Sequence, residues 1–384
     1  MVAGNPQGLA RAERELGLAS WSVALRQSRF EYVADEVLCP SGTGPLACQA
    51  KRWSLLWRAL RSFDLVHFNF GQSIMPQRIP QRSALDASRG SWGTRAFRRA
   101  YNCYAGTLEL RDLAVLKWAG KGIVVTYQGD DARQGDFCLS HFVTSPAGDV
   151  DALYYQPETD AQKRSRIQKF GIYADRIYAL NPDLLHVLPR GSEFLPYAHI
   201  DLRDWRPHES SRASAKPIVL HAPSHQGVKG TRFVREAVER LEKEGVALEF
   251  VLVEGIPHHE ARRLYERADL VIDQLLCGWY GGFAVEAMAL GKPVICYIRE
   301  GDLGFIPVRM RDELPIINAS PETVYSVLKQ WLTERRGELG DVGQQGRAYV
   351  EAWHDPLKIA ARLKQDYEAI MASKRKGRAW CAGF

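Results

Sequence analysis

Short apolar runs alternate with amphipathic stretches along most of the chain, and this alternation sets the fold class. In the first half the runs SWSVAL (20–25), FDLVHFNF (63–70), GIVVTY (122–127) and RIYAL (176–180) are β-branched or aromatic and bounded by turn residues. That pattern predicts buried parallel strands. Between them lie amphipathic segments such as LELRDLAVLKWAGKG (108–122), whose terminal glycines predict a helix stop. After residue 216 the alternation is more regular. Strands are predicted in PIVLHA, ALEFVLVEG, DLVIDQLL and KPVICYI, with helices in TRFVREAVERLEKEG, HHEARRLYERA and FAVEAMALG between them. A β-α-β-α-β-α-β order is the mark of a doubly wound parallel sheet, which binds ligands beyond the carboxyl ends of its strands.

The expected architecture is therefore α/β, with two Rossmann-like doubly wound domains facing a cleft. Residues 1–205 form the first and 206–355 the second, joined through the Ser-rich, proline-bracketed stretch Pro207–Pro217. Residues 356–384 are expected to form a helix crossing back to the first domain, with Ile359, Leu363, Tyr367 and Ile370 on one face, followed by a loose basic tail.

Composition narrows the class without naming a chemistry. The 46% hydrophobic and 25% charged residues are those of an ordinary globular protein. No apolar run approaches the ~20 residues of a membrane span, and the start lacks a signal-peptide pattern, so the cytoplasm is the expected location. The seven scattered cysteines include no Cys-x-x-Cys pair, which predicts that most are buried free thiols and argues against a disulfide framework or a zinc site. The net charge is +6, yet Lys51–Lys121 alone carries thirteen Lys and Arg against four acids. Within it, KRWSLLWRALRSF places Trp53, Leu56, Trp57 and Leu60 on one helical face. Such a face either packs on the sheet or lies peripherally on an anionic membrane. Nucleic acid is not an expected partner, because no binding module accompanies the basic stretch.

Two segments carry the chemistry. In CGWYGGFAVEAMALGKPVICY, Gly281 and Gly282 sit where a loop enters a helix, so main-chain N–H groups can face an anion. Glu286 follows one turn later and can accept hydrogen bonds from sugar or ribose hydroxyls. In HAPSHQGVKGTRF a strand delivers Gly227, Lys229 and Gly230 to the start of another helix, a setting suited to a diphosphate. Glu254, Gly255 and Asp273 lie at neighbouring strand ends, where a nucleotide would rest. His258–His259 reads as a solvated helix start, and Asp149-Val150-Asp151 as a loop, not a metal site.

These segments resemble the nucleotide-sugar site of GT-B glycosyltransferases, in particular the retaining family four. There, two glutamates flank seven residues. Glu286 matches the second and is followed by the usual Ala-Met-Ala-x-Gly-x-Pro-Val, whereas Gly278 stands in place of the first. The resemblance implies transfer of a sugar from a nucleotide-sugar to an acceptor it leaves open, with retention, no essential metal and no cofactor. It assigns Lys229 to the leaving diphosphate and Glu286 to donor hydroxyls, with Gly227, Gly230, Glu254, Gly255, Tyr280, Gly281, Gly282 and Phe283 lining the donor site. The family arginine before the lysine is replaced by Ser224 and His225, so His225 and Arg232 are the candidates for a second positive charge.

On the acceptor side, AGNPQGLARAERELG resembles the family's Gly-rich loop through Gly4 and Gly8. VVTYQGDDAR resembles its Thr-x-His-x-x-Asp element, with Gln128 in place of histidine and Asp130 beside it. LPYAHIDLRDW resembles the element near the domain crossover. The departures at 278 and 128 define the alternative, a catalytically silent sugar-nucleotide-binding or scaffold protein. A further expectation concerns the start: the Gly-rich loop normally follows a central strand, and only Met1–Ala3 precede Gly4. Such a strand would be worth on the order of 10 kcal/mol, which predicts a natural start further upstream.

Overall fold

The computed structural model describes residues 4–27, 32–79, 92–207 and 216–381, with backbone only from 377 onward. Met1–Ala3 and the linker residues 208–215 lie outside the described residues. In the first half, β1 (Val23–Ala24) and β2 (Glu36–Val37) form a two-stranded parallel sheet of their own. The main sheet is parallel and runs β3 (Leu65–Asn69), β4 (Gly122–Tyr127), β5 (Arg176–Ala179), β6 (Glu193–Phe194). Every residue of β4 is buried, as expected for a strand covered on both faces.

The run SWSVAL is shorter as a strand than its pattern predicts and stands apart from the main sheet. The Asp35 carboxylate accepts the Ser22 N–H at 2.8 Å and its hydroxyl at 2.7 Å, taking a donor that a longer ladder would need. Among the described residues no strand precedes the helix Asn5–Glu15.

The second half is a five-stranded parallel sheet of β7 (Ile218–His221), β8 (Glu249–Leu252), β9 (Leu270–Ile272), β10 (Val294–Cys296) and β11 (Ile317–Asn318). Its order is β11-β10-β9-β7-β8, so the chain reverses direction across the sheet between β7 and β9. In doubly wound sheets such a reversal, at the carboxyl ends of the two strands, is where ligands bind. The helix Thr231–Lys243 buries Val234, Ala237, Val238 and Leu241, while Phe233 is only half-buried under the Arg232 guanidinium.

The halves meet through their strands' carboxyl ends and share apolar packing. One cluster runs from Val124 and Tyr178 through Tyr197 and Trp205 to Val285 and Met288. The final helix, Pro356–Cys381, continues through the basic segment expected to be a loose tail. It lies on the first half: Tyr367 Oη meets His67 Nδ1 at 2.7 Å, Tyr178 Oη donates to Asp366 at 2.7 Å, and Lys374 pairs with Asp175 at 3.0 Å. Of these contacts, the Lys374–Asp175 pair is the one made by the basic segment itself. The cysteine expectation also needs correction. Cys39 and Cys48 form a disulfide with Cα atoms 5.5 Å apart, tying β2 to the helix Pro45–Ser62. Cys138, Cys277 and Cys296 are buried free thiols and Cys103 is exposed.

Candidate functional site

β7 delivers the loop that carries Lys229, and both ends of that loop are anchored. His221, fully buried, bonds the Ile272 carbonyl at 2.8 Å and the Thr231 hydroxyl at 2.9 Å; burial lowers its pKa to about 4, so it is neutral. The turn Gln226–Lys229 closes on Gly230 at φ 76°, a left-handed conformation that favours glycine. Lys229 Nζ donates to Asp273 Oδ1 at 2.8 Å, and Asp273 Oδ2 accepts the Gly281 N–H at 2.6 Å. Burial pulls the Lys229 pKa down, but the Asp273 carboxylate outweighs it and the net shift is upward. The pair follows β7 and β9, so it sits where the sheet order reverses. Among the described residues Nζ makes this one hydrogen bond, which leaves two ammonium hydrogens for an incoming anion.

Glu286 lies in the helix Gly282–Ala289 that opens beside this pair, and it is almost fully buried. His258 Nε2 donates to its Oε1 at 2.8 Å and the Tyr32 hydroxyl does so at 3.3 Å. His199 Nε2 lies 3.3 Å from the same oxygen, at an angle outside hydrogen-bond geometry. Burial pushes the carboxyl up, yet the two histidines outweigh it and hold its pKa at about 2. Burial pulls His258 down, and Glu286 raises it beyond its ordinary value. The carboxylate is thus ionised and oriented before any ligand arrives. His258, expected to be a solvated helix start, is instead part of the site.

Gly4, at the cap of the first helix, and Gly8, within it, do not form an open acceptor loop. A Cβ on Gly4 would come within 2.6 Å of the Tyr32 ring, and one on Gly8 within 2.3 Å of the Ala198 carbonyl oxygen. Asn5 Oδ1 accepts the Ala198 N–H at 2.6 Å. These residues bring the helix against the crossover segment and let Tyr32 reach Glu286.

In the first half, the Asp131 carboxylate caps the Gln128 and Gly129 N–H groups, and Gln128 Nε2 donates to Asn69 Oδ1 at 3.0 Å. Asp130 accepts from the hydroxyls of Tyr154 at 2.5 Å and Tyr155 at 2.6 Å and from Arg133 at 3.0 Å. Arg133 Nε also donates to the buried Asp183 at 2.9 Å. The Tyr154 ring lies 4.8 Å from the His225 ring, so this network abuts the Lys229 loop. Arg133 is therefore a cation at the site that motif reading missed; its only signal is its place at the end of VVTYQGDDAR.

Other expected donor residues are spread more widely. Gly282 and Phe283 are half-buried at the helix start, Phe283 packing on Tyr265 at 4.8 Å. Glu254 and Gly255 are exposed, and Glu254 accepts from Gln226 Nε2 at 2.8 and 2.9 Å. Gly227 packs against Asp149 and Val150 of the first half, where Asp149 pairs with Arg232. That pairing commits Arg232 to the seam between the halves. Tyr280 is a correction: it is fully buried, stacked on Trp279, with its hydroxyl bonded to His354 at 2.8 Å and Tyr349 at 3.0 Å. It is a core residue, its hydroxyl committed to the junction before the final helix and to the helix preceding it. At Gly278, φ is 78° and a Cβ would lie 2.6 Å from the Arg299 guanidinium, which bonds Asp302 and the Thr144 carbonyl at 2.8 Å each.

No known family profile matches the sequence, and no curated protein does. Solved structures do match. Sucrose-phosphate synthase from Thermosynechococcus elongatus superposes with a TM-score of 0.55 at 16% identity, covering 97% of this chain and 98% of that one. HepE of Anabaena, in complex with UDP-glucose, gives 0.56 at 11%, covering 96% and 97%. A glycosyltransferase from Rickettsia africae gives 0.55 at 12%, covering 97% and 96%. The chain has the GT-B fold over essentially its whole length.

Proposed function

We propose that this chain is a glycosyltransferase that takes a sugar from a nucleotide donor bound in its second half, with retention and without an essential metal. The observation carrying this reading is the pairing at one sheet edge of Lys229 and the Gly281–Gly282 helix entrance with Glu286 one turn further in. As the glycosidic bond breaks, charge grows on the leaving diphosphate, and an ammonium group and a helix N-terminus stabilise it. Arg133 would add the second positive charge from the opposite half. Glu286, kept ionised by His258 and His199, would accept hydrogen bonds from donor hydroxyls, with Tyr32 giving way to them. Asp273 pairs with Lys229 and accepts the Gly281 amide, and would turn aside or share the lysine once a diphosphate enters.

The test is release of nucleoside diphosphate from UDP-, GDP- and ADP-sugars with a range of acceptors, UDP-glucose first because HepE was solved with it. Turnover that Lys229→Ala and Glu286→Gln abolish supports the reading. One observation favours the silent alternative: Arg299 fills the space where the first family glutamate would project. Donor binding without turnover across all acceptors would establish that reading instead.

A further inference from the structure

The helix Pro45–Ser62 does not use its tryptophans in the core. Leu56 and Ala59 face inward with Arg52, whose guanidinium donates to the Ile74 carbonyl. Trp53 and Trp57 are 47% and 58% exposed, and Leu46, about two and three turns earlier on the same stripe, is 86% exposed. A second helix, Trp92–Leu108, lies alongside: Trp53 Nε1 donates to Tyr104 Oη at 3.3 Å. It adds Trp92 and Phe97, exposed by 79% and 57%. Neither helix contains an Asp or Glu, while Lys51, Arg61, Arg95 and Arg99 are exposed among these aromatics. The Arg61 guanidinium rests 4.1 Å above the Trp57 ring.

The geometry points to a docking surface for an anionic lipid bilayer, formed by these two helices and independent of the sugar chemistry. Protruding Trp, Phe and Leu side chains suit the boundary between headgroups and acyl chains, and the interleaved cations suit acidic headgroups. A second copy of the chain is a poor occupant, since a two-fold contact would set two acid-free cationic faces against each other. The contact lies on the bilayer, because among the described residues no helix is long and apolar enough to cross it.

Flotation of the full chain with phosphatidylcholine vesicles, with and without phosphatidylglycerol, tests this. Binding is expected only where the anionic lipid is present. Two variants, Trp53→Ser with Trp57→Ser and Arg95→Glu with Arg99→Glu, should each bind at least about tenfold more weakly. All four residues are exposed, and an unchanged melting temperature confirms folding. Absence of binding to anionic vesicles, equal binding to phosphatidylcholine alone, or binding that survives both pairs of substitutions overturns the proposal. A concentration-dependent dimer lost in the tryptophan variant also overturns it, by assigning the face to a second copy.

Discussion

His258 Nε2 donates to Glu286 Oε1 across 2.8 Å, linking the first residue of one helix to a buried carboxylate in the next. Each partner shifts the other's protonation, so the pair ties site chemistry to stability. The lowered Glu286 pKa contributes stability that is present above the ordinary value of 4.5 and is lost as pH falls toward about 2. The raised His258 pKa contributes stability present below 6.5 and lost as pH rises through its higher folded value. The pair should therefore stabilise most between pH 4.5 and 6.5. Melting temperatures measured against pH should show wild type exceeding Glu286→Gln most in that window, and a gap constant across pH would contradict the pairing.

Gly278→Glu restores the family spelling but should not restore a donor contact. The position has φ 78°, and its Cβ would meet the Arg299 guanidinium at 2.6 Å. A left-handed non-glycine residue costs roughly 1–2 kcal/mol before that clash is counted. Urea unfolding should show a loss of at least this size, with no gain in affinity for any nucleotide-sugar that the wild type binds.

Two arginines at the meeting of the halves should behave differently. Arg133 and Asp183 are both buried and 2.9 Å apart, so Arg133→Ala leaves a carboxylate unpaired and should cost about 3–5 kcal/mol. Arg232 instead pairs across the seam, with Asp149, but its side chain is mostly in solvent, and Arg232→Ala should cost at most about 1 kcal/mol. Denaturant midpoints at unchanged slope separate the two cases.

The Cys39–Cys48 link closes a loop with a sequence separation of 9, which by chain entropy is worth about 2–3 kcal/mol. Reduction, or Cys48→Ser, should lower the melting temperature accordingly. A Cys103→Ser control, at an exposed free thiol, should not.

Much of the fold was legible from local pattern alone. Gly122–Tyr127 is a strand over the whole predicted run, because a strand buried on both faces has no solvent-facing position to blur its edges. The β-α alternation after residue 216 likewise yielded four of the five strands of the second sheet, missing β11, and placed Lys229 after β7 and Glu286 after β9. Gly230, left-handed at φ 76°, and Gly281, where a Cβ would lie 3.0 Å from Lys229 Nζ, marked where loops enter helices.

What pairs with what was decided only by tertiary structure. Asp273, His258, His199, Tyr32 and Arg133 reach the site from separate strands and loops, and a charge finds its partner through space, not along the chain. The same reason explains the misplaced residues. Helical spacing put Trp53 and Leu56 on one stripe, but the sheet beneath accepts only the edge carrying Leu56 and Ala59 and turns the tryptophans outward. Tyr280 and Gly281 are adjacent in the chain, yet one fills the core while the other bonds Asp273. Local pattern selects the elements; close packing, which admits one arrangement of their faces, selects the neighbours.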